Sequence, residues 1–181
     1  MHYELCDFLM DIFQNAVESG AGQIELRLDQ EEDCLDCCVA DNGKGMAEEV
    51  IRQAMNPFYS DGQKHPGRSL GLGLPFLVQL LDSTGGEFSL DSTPGVGTTV
   101  RFRFNLANID TPPMGDLVFT MVQMMSFPGD HEFVLHRSNS TRGVAYRVSR
   151  RELHEALGGM DDPEALGLAE AFFKSQEEID G

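Results

Sequence analysis

The chain has 181 residues, 41% of them hydrophobic, and 30 acidic against 13 basic side chains give it a formal charge of −17. That length can bury a real core, and without a Lys/Arg cluster to displace counterions from phosphates a sequence-independent nucleic-acid binder is excluded. No apolar run nears the roughly 18 residues of a membrane span and no basic, cleavable leader opens the chain, so a cytoplasmic location with reduced thiols is expected.

Leu5, Phe8, Leu9, Ile12, Phe13, Ala16 and Val17 recur at i, i+3, i+4 and i+7, which predicts an opening helix, with Gly20 and Gly22 as its stop. On another face Asp7, Asp11 and Asn15 recur every four residues, stacking carboxylate and amide oxygens one turn apart. Taken alone, such a stripe is equally a solvated face. Residues 23–28 and 34–40 alternate as two strands of a hairpin, and the second runs into Asp41-Asn42-Gly43-Lys44-Gly45-Met46. Two glycines let backbone approach a planar ligand, and an aspartate there accepts from an amino group; Asn-Gly is also an ordinary turn.

Residues 47–55 read as a short helix, and 56–69 as a long loop with two cations, Lys64 and Arg68, of the kind that often serves as a lid. Gly71 and Gly73 then precede an apolar helix, whose free N–H groups and dipole suit an anion such as a triphosphate. Residues 87–92 and 98–106 are strands, with Val100, Phe102 and Phe104 on one face and Arg101 and Arg103 on the other. This order predicts an α/β fold, a two-layer sandwich with helices on one face of a mixed sheet.

Taken together, Asn15, the DNGKGM of 41–46, the NPFYS of 56–60, the GRSLGLGL of 67–74 and the GVGTTVRF of 95–102 resemble the ATP-binding domain of gyrase, MutL, histidine kinases and the large heat-shock chaperone, the GHKL superfamily with its Bergerat fold. The resemblance covers residues 4–106. It implies ATP and Mg²⁺ as ligands: Asn15 would hold the metal against the phosphates and Asp41 would bond the adenine amino group. Gly43 and Gly45 match the first glycine box, Gly71 and Gly73 the second, and Thr98 or Thr99 the residue that reaches the adenine through water. Lys64 and Arg68 are implied phosphate contacts. Hydrolytic members and anti-sigma-type serine kinases carry a Glu as general base where this chain has Asp11, whose reach is one methylene shorter, so binding is better supported than turnover.

The two prolines of 108–115 predict a linker between an ATP-binding domain at 1–107 and a small α+β appendage at 116–181. In the appendage 115–127 reads as a Met-rich core helix, 131–149 as a hairpin, the stretch with His154 as a capped surface helix, and 161–180 as an amphipathic helix or loosely attached tail. Only 14 residues precede Asn15, too few for a phosphoacceptor hairpin, which argues against a self-contained sensor kinase. Alternation sends Cys34 and Cys38 to one strand face and Cys37 to the other, so small buried thiols are expected rather than a metal site. A weaker similarity, to small ATP-binding proteins that accompany iron-hydrogenase and NADH-dependent electron-transfer subunits, implies a separate protein partner, such a redox subunit or a signalling protein. The expected function is a Mg²⁺-dependent, nucleotide-gated regulatory or assembly module, with slow ATP hydrolysis left open. The alternatives are a protein kinase acting on another chain and a degenerate module that binds nothing; the oligomeric state is left open.

Overall fold

The computed structural model describes residues 4–56 and 73–178. Helix α1 (Leu5–Glu18) opens with a reciprocal cap in which the Glu4 and Asp7 side chains each take the other's backbone N–H, and it buries the predicted stripe from Leu5 to Ala16. Strands β1 (Gln23–Gln30) and β2 (Cys34–Asp41) form the expected hairpin. After the short α2 (Glu48–Ala54) come α3 (Gly73–Thr84) and a second hairpin, β3 (Glu87–Thr93) with β4 (Gly97–Asn105). The remainder supplies α4 (Leu117–Ser126), a third hairpin of β5 (Glu132–Asn139) and β6 (Val144–Ser149), then α5 (Arg150–Leu157) and α6 (Pro163–Glu177).

All six strands lie in one sheet in the order β3-β4-β2-β1-β5-β6. Every neighbouring pair is antiparallel except β1 with β5, which run parallel from Gln23 opposite Glu132 to Gln30 opposite Asn139. A parallel pair needs a long crossover, and here α2 to α4 with the second hairpin lie between the two strands. Register makes one face continuously apolar: Leu26 lies opposite Val39 and Leu135, and Cys37 opposite Leu28 and Phe102. Helix α1 covers this face over β2, α3 over β3 and β4, and α4 fills the space between α1 and α6. The other face is polar, with Arg103 bonded twice to Asp36 at 2.7 and 3.0 Å. The protein is thus a two-layer α/β sandwich with helices on one face of a mixed sheet.

The 108–115 segment is bound to its surroundings. Asn108 Nδ2 donates to the Thr84 carbonyl and Thr111 Oγ1 to that of Asn105, while the carbonyls of Pro113 and Met114 accept the Leu5 and Cys6 N–H groups, two of the first-turn donors of α1. Beyond it, Met121, Met124, Phe133 and Phe173 join the same core as Leu9 and Phe13. Of the 161–180 stretch, expected as a helix or a loose tail, Pro163–Glu177 is a docked helix. Asp162 caps α6, and Glu177 near its end pairs with the buried Arg137 at 3.0 Å and accepts from Tyr146 Oη at 2.7 Å. His154 is part-buried, its Nε2 2.9 Å from the Met125 carbonyl.

Candidate nucleotide site

Between α1, the start of α3 and the ends of β2 and β4 lies a cavity walled by Ile12, Ala16, Val39, Leu74, Leu90 and Val100. Asn15, Glu18, Ser19, Asp41, Lys44 and Thr98 add polar groups to its lining. An apolar pocket with a few convergent polar groups is the usual form of a small-molecule site.

Asp41 ends β2 on the core-facing side, two residues after Val39. Its Oδ1 accepts the Gly43 N–H at 2.8 Å and lies 3.2 Å from Ser19 Oγ, whose single proton is shared with the Ala16 carbonyl at 2.6 Å. Burial pushes the carboxyl up from its ordinary range, outweighing the stabilisation of its charge by Gly43, Ser19 and the Thr98 N–H. A carboxylate accepts about four hydrogen bonds, so three donors leave capacity for one more.

The loop after Asp41 is pinned on both sides. Lys44 donates its N–H to the Ser19 carbonyl at 3.0 Å, and its own carbonyl accepts from Gly95 at 2.7 Å. Both glycines of the box are dictated by space: a Cβ on Gly43 would lie 1.8 Å from Ser19 Oγ, and one on Gly45 2.0 Å from the Thr93 carbonyl oxygen. Gly45 also has φ +63°, a backbone region that other residues seldom enter.

Alternation separates Thr98 from Thr99. Thr98 shares the face of Val100 and lines the cavity; Thr99 pairs with Ala40 and Asp91 on the opposite face and does not reach it. Asn15 lines the cavity from α1, and Asp11, one turn earlier, packs against the start of α3: a Cβ on Gly73 would come 2.8 Å from Asp11 Oδ2. Lys64, Arg68, Gly71 and most of the loop expected at 56–69 lie outside the described residues.

Among the described residues no three His, Cys, Asp or Glu side chains gather as a metal site. A magnesium ion at Asn15 would need few protein ligands, since such a hard cation keeps several waters. Of the cysteine cluster only Cys37 is buried; Cys34 and Cys38 are half-exposed on the polar face, so the expectation of buried thiols holds for one of the three. Desolvation raises all three thiols.

Two site residues escaped sequence reading. Ser19 lies one turn beyond Asn15, at the end of the same polar face. Ser92 faces Thr98 across the β3–β4 hairpin, and counting back from the turn at 93–97 would have paired them.

An aspartate held at the mouth of an apolar crevice by a glycine-constrained loop, with an asparagine on the facing helix, defines a nucleotide-binding α/β domain. Residues 4–108 match the family of histidine kinase-, DNA gyrase B- and HSP90-like ATPases, and the chain belongs to it. It therefore carries a GHKL domain, the class that binds ATP in histidine kinases. Over 97 residues it is 31% identical to the sensor histidine kinase YxdK of Bacillus subtilis (strain 168), a match covering 51% of this chain and 30% of that protein. Over 102 residues it is 35% identical to the C4-dicarboxylate transport sensor protein DctB of Rhizobium meliloti (strain 1021), covering 54% and 15% respectively. The chain thus spans less than a third of these curated relatives. Among solved structures, the N-terminal domain of a DNA repair protein superposes with TM-score 0.56 at 13% identity, over 90% of this chain and 58% of that one. That likeness of fold extends well past residue 108. No helix among the described residues is long and apolar enough to cross a membrane.

Proposed function

We propose that the chain is a Mg²⁺-dependent ATP-binding module that acts as a nucleotide-gated regulatory or assembly protein. The observation that carries this reading is Asp41, a carboxylate kept in an apolar crevice with acceptor capacity to spare. In this role Asp41 accepts the adenine amino group and the walls from Ile12 to Val100 exclude water around the ring. Asn15 would hold the metal beside the phosphates; the ion, when bound, neutralises phosphate charge. Gating is assigned to the sequence between the two glycine boxes, with Lys64 and Arg68 as its phosphate contacts, and its output is the binding of a separate protein, for which a redox subunit is the first candidate. Titration calorimetry of ATP with and without Mg²⁺, on wild type and Asn15→Ala, tests the reading. Metal-dependent affinity in wild type that Asn15→Ala loses supports it; equal affinity with and without metal overturns the role of Asn15. No ATP binding at all favours the degenerate module instead.

A second reading, a protein kinase acting on another chain, is favoured by the carboxylate of Asp11 beside the start of α3 and by the named sensor kinases among the relatives. Transfer of labelled phosphate to a co-purified partner, abolished in Asp11→Asn, would decide for it; tight binding with negligible turnover decides for the switch.

A further inference from the structure

Ser92, near the end of β3, pairs with the cavity-lining Thr98 without lining the cavity itself, and its hydroxyl is shared by three neighbours. It accepts the Met46 N–H at 2.8 Å, lies 2.7 Å from Thr98 Oγ1, and reaches the Gly97 carbonyl at 3.2 Å. A serine hydroxyl has one proton and two lone pairs. The Gly97 carbonyl can only accept, so the proton of Ser92 goes there; Met46 fills one lone pair, and the other is open to the Thr98 proton. Of the ways to assign these protons, this one satisfies every contact. It commits the Thr98 hydroxyl to donating backwards, away from the cavity, and turns an oxygen with free lone pairs toward it. Asp41 stands opposite Thr98 in the β2–β4 register and is likewise an acceptor.

We infer that Ser92 is a positioning residue for base selection: by taking the Thr98 proton it makes the inner corner of the cavity accept hydrogen bonds only, so that the site takes a purine with a 6-amino group and rejects one with a 6-oxo group. A 6-amino group donates to either oxygen, directly or through a water that spends its own protons on the two. A 6-oxo group meets lone pairs from both sides, and rejection by an unpaired buried polar group is the strong form of discrimination. The same hydroxyl ties the 42–46 loop, through the Met46 N–H, to the β3–β4 hairpin.

This inference rests on the adenine-nucleotide reading above, and the experiment separates the two. Titrate the full chain with MgATP and with MgITP, which differ at the purine 6-position and the adjacent N1 proton, in wild type, Ser92→Ala and Ser92→Thr. The expected wild type prefers ATP. In Ser92→Ala the Thr98 proton is released to turn into the cavity, and the ATP-to-ITP affinity ratio falls about tenfold, one hydrogen bond's worth; Ser92→Thr, which keeps the hydroxyl, restores it. A Ser92→Ala protein that loses affinity for both nucleotides equally, with the ratio unchanged, overturns the inference and leaves ATP binding standing. Wild type that binds neither nucleotide overturns both.

Discussion

At the β5–β6 end of the sheet Arg137 is 4% exposed, and its guanidinium protons go to Glu177, to Gln30 Oε1 at 2.7 Å and to the Ser138 carbonyl at 2.6 Å, while Tyr146 donates to the same Glu177. Where β2 meets β4, Asp41 is also drawn out of water, yet it lines a cavity and its own chain does not exhaust its lone pairs. Arg137 is matched from within; Asp41 is matched only in part, and its raised pKa records that cost. A buried polar group whose partners are all supplied by the fold holds the fold together, whereas one left with capacity beside a cavity weakens it and serves a ligand.

The contrast breaks most visibly at the matched end. Glu177→Ala leaves the Arg137 charge buried without its partner and should cost about 3–5 kcal/mol, read as a lower urea midpoint, whereas replacing the pair together with apolar residues should recover most of that loss. Next in size is Gly45→Ala, where a positive φ and the Thr93 carbonyl oxygen 2.0 Å from the new Cβ combine. Strain of about 1–3 kcal/mol is expected, with loss of ATP binding by calorimetry.

Asp41→Asn sharpens the comparison, because affinity and stability should move in opposite directions. ATP affinity falls about tenfold to a hundredfold, the worth of a hydrogen bond to a charged group. The raised carboxyl means that the native state holds its proton to higher pH than the unfolded chain does. Wild type therefore loses stability relative to the variant as pH rises through the folded value, and the variant should be the more stable at neutral pH in paired melts at pH 4 and 7.

A smaller effect belongs to His131, whose Nε2 is buried without a hydrogen-bond partner among the described residues. Its pKa is lowered from 6.5 by burial and then by Arg150, with Glu132 and Asp130 opposing. The unfolded chain takes the proton first as pH falls below that value, so stability should drop on acidification from pH 7 to 5.5, and His131→Gln should flatten the slope. Smallest of all is Arg103→Ala, which breaks the exposed pair with Asp36 and should leave the denaturation midpoint unmoved within error.

Much of this was legible in residue order. Period-four and period-two patterns gave the six strands and the principal helices because each records which side of its own element is buried. The glycine boxes were legible because only glycine fits where backbone must pass a side chain, as Gly43 passes Ser19. Pairing across distance was hidden. Nothing in the alternation of 131–137 says that it lies parallel to β1, or that Arg137 will meet a glutamate 40 positions later. The same limit left Thr98 and Thr99 undivided until register assigned them to opposite faces. Ser92 was hidden for another reason: its role lies in the protons it exchanges with Thr98, Met46 and Gly97, and hydroxyls look alike in any serine-containing strand.

The parallel seam between β1 and β5 also bears on how the molecule is made. Contacts such as Asp29 with Ser138 join positions 109 apart, so a nascent chain exposes one flank of β1 until β5 has been made, more than a hundred residues later. An excised piece ending at residue 108, the extent of the family match, would keep its nucleotide-binding residues but bare a raw strand edge and the apolar surface that α4 covers, inviting self-association. The smallest portable unit of this protein is therefore longer than the family segment it contains.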